Sequence, residues 1–133
     1  MKKQVATALL PSLVLAGCGH PTFTPVVVNP EFIVVTKYDQ AHATTKLVHD
    51  SSTMNAIVTE INAGSLNIMP NTDRPTSCPA AINGANYDIV VHYNKNNSSR
   101  TFVLMFQGCT FLEDEKDGIT MYADVPDARN LFQ

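Results

Sequence analysis

The chain has no tryptophan, three cysteines and only 16% charged side chains, and each scarcity narrows the function. Cys18, Cys78 and Cys109 make no Cys-x-x-Cys pair, so a dithiol redox motif is absent, and none has the close ligand neighbours of a zinc site. The Gly-x-Ser-x-Gly elbow of serine hydrolases is missing. The acidic run Glu113-Asp-Glu-Lys-Asp-Gly118 lacks the alternating ligands, central glycine and distal Glu of an EF-hand. A formal net charge of −3 argues against nucleic acid as a partner, because phosphate contacts supply most of such affinity. The apolar run from Val5 to Leu15 is interrupted by Thr7, Pro11 and Ser12. It falls well short of the roughly 20 residues that a membrane-spanning helix needs.

What is present begins at the amino terminus. Lys2 and Lys3 precede the apolar run, which ends in Leu15-Ala16-Gly17-Cys18. Positive residues, a short apolar core and small residues before a cut site describe a secretory signal. The Leu-Ala-Gly-Cys ending resembles the lipobox of bacterial lipoprotein precursors. That resemblance covers residues 1–18 and implies removal of residues 1–17 between Gly17 and Cys18. It also implies fatty acyl chains, such as palmitate, on the Cys18 thiol. Two chains anchor stably, since each buried methylene contributes about 0.8 kcal/mol. The implied location is outside the cytoplasm, on the cell membrane. Gly19 is not Asp, so in a host with two membranes the family pattern points to the outer one.

Removing Lys2 and Lys3 changes 9 basic and 12 acidic side chains into 7 and 12, a net of −5. The lipid, not a basic patch, is then what holds the membrane. With Cys18 consumed, Cys78 and Cys109 remain in an oxidising compartment, where a disulfide is the default. It closes a loop of about 32 residues, for which chain entropy gives roughly 3–4 kcal/mol.

Residues 18–30 carry three prolines and read as a lipidated, fairly extended tether, with Val26-Val27-Val28 as an alternative edge strand. Residues 31–133 are long enough for one domain. Phe32–Tyr38 and Thr44–Val48 read as a hairpin. Asp50, Ser51 or Ser52 caps a helix over roughly 52–63, whose apolar face is Met54, Ile57, Val58 and Ile61, with Gly64 as its stop. A Pro-rich loop over 69–86 contains Cys78. Tyr87–Tyr93 and Arg100–Gln107 alternate as strands about an Asn/Ser turn, Glu113–Gly118 is a solvated acidic turn, and Ile119–Ala123 is a last strand. A short helix starts at Asp124-Val-Pro126. The expected fold is α+β, an antiparallel sheet of four or five strands in ββαβββ order with one helix on a face and one disulfide. The stretch from Asp50 to Cys109 is also similar to small envelope lipoproteins, through Cys78-Pro79, Tyr87, Ile89, Gly108 and Cys109. That likeness implies fold and cross-link, not activity.

Against this background no cofactor, metal or catalytic residue is expected. His20, His42, His49 and His92 have no ligand partner at helical or strand spacing, and Ser51, Ser52, Ser98 and Ser99 serve as cap and turn residues. Glu113, Asp114, Glu115 and Asp117 form a candidate acidic docking patch, which would steer a basic partner surface. Tyr87, Tyr93, Phe102 and Phe106 read as cross-strand core pairs. The opposite face, with Val90, Val103 and Met105, is also apolar, so the sheet is either covered on both sides or offers one face to a partner. The first expectation is a non-enzymatic, protein-binding envelope module. The alternatives are a small hydrolase of wall polymers or peptides, and a phage-borne surface exclusion protein.

Overall fold

A computed structural model describes residues 22–70, 85–107 and 109–133. Six strands form one antiparallel sheet: β1 (Phe32–Asp39), β2 (His42–Val48), β3 (Asn86–Tyr93), β4 (Ser98–Gln107), β5 (Cys109–Asp114) and β6 (Ile119–Met121). The spatial order is β2-β1-β3-β4-β5-β6. Helix α1 (Ser51–Ala63) connects the first hairpin to the four-strand meander, and α2 (Pro126–Asn130) closes the chain. The α+β class holds, and the strand count is corrected from four or five to six.

Local chemistry accounts for the elements. The β1–β2 connection is Gln40-Ala41, with Gln40 at φ 46°, and the β3–β4 turn places Asn96 and Asn97 at positive φ. Asparagine tolerates that region better than most residues. Asp50 caps α1 by accepting the Thr53 N–H at 2.8 Å. Gly64 does not end α1 in the left-handed way expected of it. It stays right-handed at φ −59° and leads into a 3-10 turn, Gly64–Asn67. Its lack of a side chain serves a close approach: an added Cβ would stand 2.9 Å from the Ala123 Cβ.

One sheet face carries the core. Met54, Ile57, Val58 and Ile61 of α1 are buried on Ile33, Val35, Ile89, Val91, Phe102 and Leu104, with Leu112 and Met121 beyond. The register pairs Val35 with Ile89 and Ile89 with Phe102 across three strands. Leu131 and Phe132 pack back onto this core after α2.

Two expectations need correction. The segment before β1 is not a free tether from residue 22 onward. Phe23 and Val26 are buried in the core, and Val26 exchanges two backbone hydrogen bonds with the Asn62 side chain, at 2.7 and 3.0 Å. Residues 22–30 are therefore a strap of the domain. The reason is tertiary: Phe23 and Val26, spaced by three, offer apolar area that gains free energy when buried against the core. Second, the acidic turn is shorter than read, because Glu113 and Asp114 belong to β5.

Candidate functional site

The residues that carry the lipoprotein reading, Gly17 and Cys18, lie outside the described residues, as does Cys78. Cys109 opens β5 and is half-buried.

The candidate acidic patch is rearranged by the fold. Asp114 is buried, with 1% of its surface exposed, and its carboxylate receives Arg100 Nη2 at 2.6 Å and Arg100 Nε at 3.3 Å. Asp117 accepts from Arg100 Nη2 at 3.3 Å and from the Thr24 N–H at 2.8 Å. Those contacts, the Thr24 amide foremost, hold the Asp117 carboxyl below its ordinary range. Glu113 is half-buried and only Glu115 is fully exposed. The four carboxylates do not form one solvated docking surface. Two of them neutralise a buried cation, because unpaired burial of Arg100 would be costly.

Arg100 is the residue that sequence reasoning passed over. It lies on the core face of β4, in step with Phe102 and Leu104, and that parity was its signal. Its guanidinium also donates to the Thr24 carbonyl and lies 5.0 Å from the Phe23 ring centre and 5.1 Å from that of Phe102. The strap, β4 and the β5–β6 turn are thus tied through one side chain. Beside it opens a hollow of about 540 Å³, whose wall includes Thr24, Val27, Tyr93, Lys95, Ser99 and Lys116. The Tyr93 hydroxyl donates to the Val27 carbonyl at 2.8 Å.

A second polar cluster joins the two helices. Glu60 of α1 accepts the Asp127 N–H at 3.1 Å, and Arg129 forms a bidentate pair with Asp124. Burial pushes the Glu60 carboxyl up to about 7. The Asp127 N–H opposes that rise, and the nearby Asp127 and Asp124 carboxylates add to it. Arg129 also lies 4.3 Å over the Phe106 ring, so Phe106 is a half-exposed shelf for a cation and not a core pair.

Both helices pack on the core face. The opposite face presents Leu47, Val34 and Val90 in one cross-strand row, and Asn86, Met105 and Phe111 in another. Leu47 is 57% exposed, and the Tyr122 ring sits 5.6 Å from that of Phe111. Between the rows lie Thr36 and Thr45, with hydroxyls 3.0 Å apart, and Asp88, whose charge raises the Tyr38 hydroxyl above its usual range. At the top, His92 stacks on Phe32 at 4.3 Å, and this histidine is half-buried.

Among the described residues no three His, Cys, Asp or Glu side chains converge as a metal site would need. No described helix is long and apolar enough to cross a membrane. Ser51 stands in the first turn of α1 and Ser98 donates to the Lys95 carbonyl, so both have local roles. No family model matches the chain, and neither a curated protein nor a solved structure matches it.

Proposed function

We propose that this chain is a bacterial envelope lipoprotein, anchored through acyl chains on Cys18, whose domain docks an envelope protein on the open face of its sheet. The observation that carries the docking role is the apolar row facing away from both helices, Leu47-Val34-Val90, in which Leu47 is 57% exposed. An apolar row left exposed on a folded domain marks an interaction site, because exposed apolar area gains free energy when covered. The partner is a protein that presents an apolar surface of its own. The anchor rests on Leu15-Ala16-Gly17-Cys18 behind a short positive leader.

A Cys78–Cys109 disulfide belongs to the same reading. The oxidising compartment that export implies supports it, because two thiols left there pair by default. Peptide mapping without reductant, with Cys78 and Cys109 recovered in one cross-linked peptide, is the expected result.

The docking role is tested by placing a photo-crosslinking residue at Leu47 or Val90 and irradiating intact cells. One discrete envelope adduct is expected, absent when the probe replaces Thr59 on α1. Identical, adduct-free patterns at all three positions would contradict the docking role. Radiolabelled palmitate should enter the native chain and fail to enter Cys18→Ala.

A further inference from the structure

We infer that the hollow beside the strap seats the phosphate of an anionic phospholipid headgroup, with Lys95 and Lys116 as the cations that meet it. The inference rests on the lipid anchor proposed above and adds a second, ionic contact with the same membrane.

Three observations lead there. The first is charge. Four lysines follow Cys18 in the sequence: Lys37, Lys46, Lys95 and Lys116. Two of them line this one hollow, whereas Lys37 is 3.9 Å from Asp39. Lys95 and Lys116 are exposed, and among the described residues neither ammonium has an ion-pair partner. Arg100 lies in the same wall, but Asp114 and Asp117 already neutralise it. The available charge is therefore that of the two lysines, and Ser99 adds a hydroxyl. On a mature chain of net −5 the wall holds Lys95, Arg100 and Lys116 and no carboxylate, and with the Asp114 and Asp117 that pair Arg100 the cluster is 3 − 2, or +1, which would turn the hollow toward an anionic surface.

The second observation is reach. Thr24 and Val27 form part of the wall, and Thr24 follows Cys18 by six residues. Six residues span at most about 20 Å when fully extended. An anchor at Cys18 therefore confines this wall to within about 20 Å of the attachment point. The third is apolar exposure at the rim. Val27 is 66% exposed and Val28 59% exposed, on the strap that leads from the anchor. Apolar side chains beside lysines suit the boundary between headgroups and acyl chains.

An anionic surface favours occupancy by one lysine on the order of fivefold, and salt removes the effect. The test uses the purified, processed lipoprotein in vesicles of phosphatidylcholine alone or with about one-third phosphatidylglycerol. A water-soluble amine-acylating reagent is applied, and the rate at each lysine is read by peptide mass. Lys95 and Lys116 should react several-fold more slowly in the anionic vesicles and recover at high salt, while Lys46 reacts equally in both. The mass of the N-terminal peptide is read in the same digest. Unprotected lysines on a chain with acylated Cys18 overturn the inference and leave the anchor standing. An unacylated Cys18 overturns both. Equal protection by inorganic phosphate in the neutral vesicles assigns the hollow to a soluble anion and overturns the membrane contact.

Discussion

Replacing Arg100 by Met is the most informative single perturbation of this fold. The side chains of Arg100 and Asp114 are 7% and 0% exposed, so the substitution leaves a carboxylate buried without its cation. Breaking a buried pair from one side costs about 3–5 kcal/mol, most of it the penalty on the abandoned charge. Loss of the bond to the Thr24 carbonyl also frees the strap that buries Phe23. At roughly 4 °C per kcal/mol for a domain near this size, the melting temperature should fall by about 12–20 °C. Circular dichroism melts at neutral pH measure the drop. The companion variant Arg100→Met/Asp114→Leu removes both charges and should regain most of the loss, because a well-packed apolar pair can replace a buried ion pair at little cost. A single variant within about 1 kcal/mol of the parent, or a double variant no better than the single, would refute the claim that this pair organises the strap end of the sheet.

Four further outcomes follow from the same structure. Glu60 has a folded-state pKa of about 7, above its ordinary 4.5, so the folded state holds a proton that the unfolded chain releases between those values. Its contribution is complete below pH 4.5 and is lost as pH rises toward 7. Melting temperature should therefore decline over that window, and Glu60→Gln should flatten the profile; carboxyl NMR titration reads the group directly. Gly64→Ala forces a Cβ to 2.9 Å from Ala123 and should destabilise by about 1–2 kcal/mol despite better helix propensity, with recovery in Gly64→Ala/Ala123→Gly. Phe102→Ala empties the centre of the core and should cost about 3–5 kcal/mol in urea unfolding. Reduction of the proposed Cys78–Cys109 bond should lower stability by roughly 3 kcal/mol without changing the sheet's circular dichroism.

Strict alternation made β1, β3 and β4 legible, and the i, i+3, i+4, i+7 spacing of Met54, Ile57, Val58 and Ile61 gave α1 almost to the residue. β5 was missed because its ends mislead: Gly108-Cys109 reads as a stop, and Glu113-Asp114 reads as solvent. Only the pairing of Leu112 with Leu104 and of Asp114 with Phe102 makes it a strand, and that pairing is non-local. The strap was read as a spacer because prolines dominate local propensity, while Phe23 and Val26 are decided by tertiary burial. Asp114 followed the same logic in reverse. A carboxylate within an acidic run is normally solvated, and what internalises it is Arg100, fourteen residues earlier. The open sheet face was half visible, since Val90, Val103 and Met105 stood out in sequence. That both helices lie on the other side could come only from the fold.

The central claim concerns Cys18, and mass spectrometry of the amino-terminal peptide from membrane-fraction protein addresses it most directly. The account predicts a chain that starts at Cys18 and carries a diacylglyceryl mass on that residue. Native protein recovered from the cell interior with Met1 in place and an unmodified thiol would contradict it.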